Sequence, residues 1–159
     1  METILNILEE NARLTNSQVA VLAGVSEDEA AKKIAKFEKD GTIVGYKAII
    51  DWDKTNREYV TALIEIKVAP QKDKGFDMVA NKICSFGEVR SLYLMSGGFD
   101  LSVIIEGKTM KEVAMFVVQR LAPIDGVTAT ATHFVLKKYK DEGVVFCEKD
   151  DDERGYTGV

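Results

Sequence analysis

The spacing of apolar residues changes once along this chain. Before residue 40 they recur at helical spacing, as Ile4, Leu5, Ile7 and Leu8, then Val19, Ala20, Leu22 and Ala23, then Ala30, Ile34 and Phe37. From Tyr59 the segment YVTALIEIKV alternates, with Val60, Ala62, Ile64, Ile66 and Val68 on one face. A period near 3.6 and a period of two belong to different elements. The chain is therefore expected to fold as a helical unit followed by a strand-bearing one.

The helical unit reads as three short helices in residues 1–45. The second opens at Thr15-Asn16-Ser17-Gln18 and the third at Ser26-Glu27-Asp28-Glu29, where a hydroxyl and the side chain three residues on can cap each other's free backbone groups. Between them Ala23-Gly24-Val25 supplies a turn, with Gly24 able to adopt a left-handed conformation and Val25 able to fill the space between helices. That pattern is a helix-turn-helix. The third helix ends near Gly41, and TIVGYKAIID after it alternates enough for a hairpin or a linker strand over 46–58.

The second half, 59–140, reads as β-α-β-β-α-β. The first strand ends at Ala69-Pro70. A helix then carries Phe76, Val79, Ala80 and Ile83, and a strand runs Val89 to Met95. After the turn Ser96-Gly97-Gly98 come a strand from Leu101 to Ile105, a helix from Met110 to Leu121 and a last strand from Val127 to Lys138. This order is the ferredoxin-like split unit, two helices on one face of a four-stranded antiparallel sheet, so the expected class is α+β. The second face of the first strand, with Tyr59, Thr61 and Leu63 ahead of Glu65 and Lys67, is only half polar, and self-association would bury it. GVVFC at 143–147 adds at most one short strand before an acidic tail.

The net charge of -5 is localised: residues 141–159 carry seven acids against Lys149 and Arg154, and residues 1–140 sum to zero. No run of about 18 apolar residues exists to cross a bilayer, and METILNILEEN is acidic rather than a signal sequence, so no membrane partner and a cytoplasmic location are the default expectations. Cys84 and Cys147 match no metal or redox spacing and read as reduced core thiols. No Walker loop, dinucleotide glycine motif, catalytic triad or metal cluster is present, and His133 is the lone histidine; neither an enzyme, a cofactor nor a metal is expected.

In a helix-turn-helix the recognition helix enters the major groove of double-stranded DNA. On the third helix Lys32, Lys36 and Lys39 lie opposite Ala30, Ile34 and Phe37, with Lys33 at the border, a stripe suited to phosphates. Ser17 and Gln18 at the head of the second helix complete the candidate DNA contacts with Ser26. Against this, residues 26–40 hold four lysines and five acids, and the leading turn Glu27-Asp28-Glu29 repels phosphate. Weak DNA binding, leaving chiefly a sensing module, is the competing expectation.

These residues resemble the Lrp/AsnC (feast/famine) family of transcriptional regulators. The resemblance covers residues 1 to about 140 and rests on Leu14-Thr15-Asn16 through Val19-Ala20, on GVSEDEAAKKIAKFEKDGTIVGYKAIID, on the Gly-x-x-Asp turn within LYLMSGGFDLSVIIEG, and on GVTATATHFVL. It implies DNA contacts from Ser26, Lys32, Lys33 and Lys36. It also implies dimers formed through the sheet, often gathered into tetramers or octamers, with an amino acid between dimers near Gly97, Gly98, Asp100, Thr130 and Thr132. The chain departs from the family in carrying Lys33 where arginine is usual and in its three leading acids.

The sensing half has its own chemistry. Ser96, Gly97 and Gly98 can expose backbone N–H groups to a carboxylate, Asp100 can pair with an ammonium, and Thr130 and Thr132 share a strand face. Equally, Gly-Gly before Phe-Asp is an ordinary hairpin turn that Asp100 caps.

Overall fold

The computed structural model describes residues 2–69 and 76–146 and divides between Ile49 and Ile50 into two units. The first contains α1 (Glu2–Glu10), α2 (Asn16–Ala23) and α3 (Glu27–Lys39). Ile4, Leu8, Val19, Ala20, Ala30 and Phe37 are buried together, one stripe from each helix, with Val25 and Ile34 packed against them. The turn forms as the sequence requires. Gly24 takes φ 66°, and the Val25 N–H returns to the Ala20 carbonyl at 3.0 Å, closing α2 before α3 departs.

The expected linker strand does not form within one chain. Residues 44–51 carry no regular structure, and a 3-10 turn follows at Trp52–Lys54, where the Arg57 guanidinium lies 4.3 Å from the Trp52 ring centroid. The physical reason is that an extended segment needs a neighbour for its backbone groups, and no other strand of the described residues pairs with it.

The second unit is a four-stranded antiparallel sheet in the order β2-β3-β1-β4, built from β1 (Val60–Val68), β2 (Val89–Leu94), β3 (Leu101–Gly107) and β4 (Val127–Phe134). Helices α4 (Asp77–Cys84) and α5 (Met110–Phe116) lie between the strands in sequence, giving the ferredoxin-like βαββαβ order. Ala62, Ile64 and Ile66 of β1 and Val103 and Ile105 of β3 are buried with Val79, Ile83, Val113, Phe116 and Leu121 from the helical layer. Alternation thus places one face of the central strands in the core. The other face carries Leu63, Glu65 and Lys67 of β1.

Four expectations need correction. The second helix of this unit reaches Leu121 as expected but not as one α-helix: α5 gives way to a π turn at Val117–Leu121, where the Ala122 N–H reaches the Val117 carbonyl at 2.8 Å, and Pro123 then denies the next donor. β4 stops at Phe134 rather than Lys138: Phe134 stands opposite Ala62, and beyond it only the Val135 N–H still reaches β1, at the Thr61 carbonyl 2.9 Å away. The boundary at 140 falls inside a hairpin, whose second strand is the short one expected within 143–147: β5 (Lys140–Asp141) pairs with β6 (Val144–Val145) across Glu142 and Gly143, whose φ values of 47° and 82° suit a two-residue turn. Cys84 is exposed at the end of α4, not a core thiol. Pro70, Cys147 and the acidic segment beyond it lie outside the described residues.

Candidate functional site: DNA interface and effector surface

The head of α2 is held by a reciprocal cap. Thr15 Oγ1 accepts the Gln18 N–H at 3.3 Å, and Gln18 Oε1 accepts the Thr15 N–H at 2.9 Å. Gln18, a candidate DNA contact, therefore has a structural task first; Ser17 beside it is exposed. At α3 only half of the expected reciprocal cap forms: Ser26 Oγ accepts the Glu29 N–H at 3.2 Å while its own proton stays free to donate, and the Glu29 carboxylate turns to Lys33 instead of the Ser26 N–H.

The lysine stripe is exposed, with Lys33 half-buried as its border position requires. Its charges are not all free. Lys32 pairs with Asp28, and Lys33 Nζ lies 2.7 Å from Glu29 Oε1, both one helical turn apart. The i, i+4 spacing of Asp28 with Lys32 and of Glu29 with Lys33 already encodes both pairs, a signal that the net charge of the helix does not carry. Lys36 is exposed and acts on Asp40 only at a distance. The Asp40 carboxyl sits below its ordinary value because it accepts the Thr42 hydroxyl, at 2.6 Å, and the Thr42 N–H, at 3.1 Å, outweighing slight desolvation, with Lys36 adding a smaller attraction. Tyr46 donates its hydroxyl to Glu38 at 3.0 Å, tying the Gly-Tyr exit to α3, and its phenol is raised above the ordinary value by desolvation first and this bond second.

On the effector side the sheet divides the candidates. Ser96, Gly97, Gly98 and Asp100 gather in the turn joining β2 to β3. Asp100 is fastened there three ways: its Oδ2 accepts the Val68 N–H at 2.8 Å, its N–H donates to the Ile66 carbonyl at 3.0 Å, and its carbonyl accepts the Met95 N–H at 2.8 Å. A Cβ on Gly97 or Gly98 would meet nothing within 4 Å, and neither takes a positive φ. The chain itself does not require glycine at either position, and the space above both is open.

Thr130 and Thr132 stand opposite Ile66 and Ile64, half-buried on the helix-covered face of β4. β1 separates them from β3, two strand spacings of roughly 4.8 Å. One chain therefore presents the turn and the threonines as two groups. His133 lies on the opposite face, its Nε2 3.1 Å from Glu65 Oε2.

A helix-turn-helix unit followed by a ferredoxin-like α+β unit is the architecture of a transcription regulator with a separate sensing domain. Residues 2–44 match the family model of a winged helix-turn-helix DNA-binding domain, and residues 61–145 match that of the Lrp/AsnC ligand binding domain. The chain belongs to the Lrp/AsnC family of HTH-type transcriptional regulators.

It is 49% identical to an uncharacterized HTH-type transcriptional regulator, YugG of Bacillus subtilis, over 95% of this chain and 92% of that protein. It is 31% identical to the HTH-type transcriptional regulator LrpA of Pyrococcus abyssi, covering 86% and 94% of the two. Among solved structures, the regulator NMB0573 of Neisseria meningitidis in complex with L-Met superposes with a TM-score of 0.71 at 27% identity, covering 87% of this chain and 89% of that one. Like these regulators, it has a DNA-binding domain and a ligand-binding domain. No helix of the described residues is long and apolar enough to cross a membrane.

Proposed function

We propose that this regulator binds double-stranded DNA through α3, with Ser17, Ser26, Lys32, Lys33 and Lys36 at the interface, and that an amino acid bound by its second unit alters that binding through the assembly of subunits. The observation that carries the effector half is the open space above Gly97 and Gly98 beside a fixed Asp100. Free N–H groups there suit a carboxylate, and the second oxygen of Asp100 suits an ammonium. Binding of L-Met by the Neisseria regulator supports an amino acid as the class of effector.

Assembly enters for two reasons. Thr130 and Thr132 contribute to an effector site only if it is completed from more than one chain, since β1 stands between them and the turn. The uncovered sheet face, with Leu63 and Ile104 half-buried and Tyr93 exposed, is what a dimer would close. A ligand that prefers one arrangement of dimers shifts the population toward it and changes the spacing of recognition helices.

Fluorescence anisotropy with DNA from the protein's own upstream region, at low and moderate salt and with each amino acid in turn, tests this. Salt-sensitive binding that one or a few amino acids change is the expected result. Binding to no genomic fragment would favour a sensing module, the reading to which the Lys32–Asp28 and Lys33–Glu29 pairs lend weight.

A further inference from the structure

A cavity of about 540 Å³ opens between α4 and the π turn, on the helical layer of the second unit. None of its residues belongs to the Ser96 to Asp100 turn or to β4. Its volume falls in the range of small-molecule sites. Met78, Phe86 and Ile124 give it an apolar lining, and Lys82, Arg120 and Asp125 supply charge.

The two cations share one aromatic base. The Arg120 guanidinium carbon lies 4.5 Å from the Phe86 ring centroid, and Lys82 Nζ lies 5.6 Å from the same centroid. Phe86 is itself set edge-to-face against Phe116, with centroids 5.5 Å apart and planes at 88°, so the base is firm. Among the described residues no ion pair or hydrogen bond engages the side chain of Arg120 or Lys82. A guanidinium stacked on a ring keeps its in-plane N–H donors, which match a carboxylate two at a time. The π turn that carries Arg120 is a rare backbone form found disproportionately at functional sites.

We propose that this cavity is a binding site for a small monocarboxylate with an apolar body, a branched or aromatic acid, separate from the amino-acid site. Two cations against Asp125 leave one net positive charge, which matches a carboxylate and disfavours a dianion. The apolar lining rewards a hydrocarbon body that a bare inorganic ion lacks. An amine is not required, because Arg120 and Lys82 recognise the acid end alone.

The test uses the full chain and isothermal titration calorimetry with phenylacetate and isovalerate, against phenylacetamide as the uncharged analogue and inorganic phosphate as the competing ion. At least one acid is expected to bind saturably, phenylacetamide at least about tenfold more weakly than phenylacetate, and phosphate not to displace either. Arg120→Gln, at an exposed position, is expected to weaken the acid by about tenfold while Asp100→Asn leaves it unchanged. Amide shifts should cluster at Lys82, Phe86 and Arg120. Absence of saturable binding by both acids, equal binding of acid and amide, displacement by phosphate, indifference to Arg120→Gln, or shifts confined to Ser96 through Asp100 would each overturn the proposal.

Discussion

Asp100 Oδ2 accepts the backbone N–H of Val68 at 2.8 Å, across a gap of 32 residues and at the point where the register of β1 against β4 shifts between Lys67 and Val68. The pairing of β1 with β3 ends at Ile66 and Leu101, so the Val68 N–H, two residues further on, has no strand partner on that side, and the carboxylate takes it. Asp100→Ala removes that acceptor from a part-buried donor and should lower unfolding free energy by about 1–3 kcal/mol, read from urea denaturation. Asp100→Asn keeps an acceptor oxygen and should recover much of the loss. An effector response lost in Asp100→Asn with stability retained would assign the second oxygen to the ligand.

In the proposed DNA-binding role, α3 carries its own brake. Lys32 and Lys33 are each paired with an acid one turn earlier, and exposed pairs of this kind stabilise a helix by only about 0.3–0.5 kcal/mol. Asp28→Asn with Glu29→Gln should therefore cost little stability beyond the loss of helix-dipole attraction, while freeing two cations for phosphate. The expected outcome is tighter DNA binding at low salt and a plot of log affinity against log salt steeper by up to about 2. Unchanged affinity and slope would place these lysines away from the backbone.

Ser26 allows cap and contact to be separated. Ser26→Ala loses the oxygen that accepts the Glu29 N–H and should destabilise the first unit by about 1 kcal/mol. Ser26→Asp restores the cap and adds a negative charge. If Ser26 touches phosphate, the aspartate variant melts like the parent yet binds DNA more weakly; equal DNA binding would leave the serine only its capping role.

Much of this fold was legible because local chemistry and global pattern agree. Thr15 with Gln18 and Gly24 at φ 66° are where capping and turn rules place them, Ser26 keeps the accepting half of its cap, and the alternation from Val60 to Val68 marks the core face of β1. What stayed hidden depends on residues distant in sequence. Arg120, Lys82 and Phe86 meet only after two helices pack, and the tie from Asp100 to Val68 exists only once β1 and β3 pair. The linker strand expected over 46–58 is absent, since alternation shows that a segment can pair and not whether a neighbour is there. Thr130 and Thr132 share a face, as their spacing of two requires, but the strand order that sets them apart from the glycine turn is a property of topology alone.

Acidity should loosen the end of α3 in a defined direction. The Asp40 carboxyl lies below its ordinary value of 3.8, chiefly through the bond from the Thr42 hydroxyl and then from the Thr42 N–H. A depressed carboxylate stabilises the folded form above its unfolded pKa, and that contribution is lost as pH falls through the folded value. An NMR titration of the carboxyl carbon should find Asp40 titrating below an ordinary aspartate, and Thr42→Val should move it upward. A midpoint unaltered by that substitution would remove Thr42 as the cause.

Self-association should depend on the sheet face that α4 and α5 leave open. On that face Leu63 of β1 stands between Ile104 of β3 and His133 of β4, all in one cross-strand row, and Tyr93 on β2 extends the apolar surface toward the sheet edge. A charge placed at Leu63 would be desolvated by any partner sheet without a matching cation, a cost large enough to outweigh the apolar contact it replaces. Leu63→Asp should therefore sediment as a monomer at concentrations where the parent is a dimer or larger. Because Leu63 is half-buried rather than core, the variant should keep its own fold by circular dichroism. DNA affinity should fall with it, since two recognition helices then no longer arrive together and the advantage of joint engagement is lost. A Leu63→Asp protein that still sediments with the parent would move the assembly interface off this sheet.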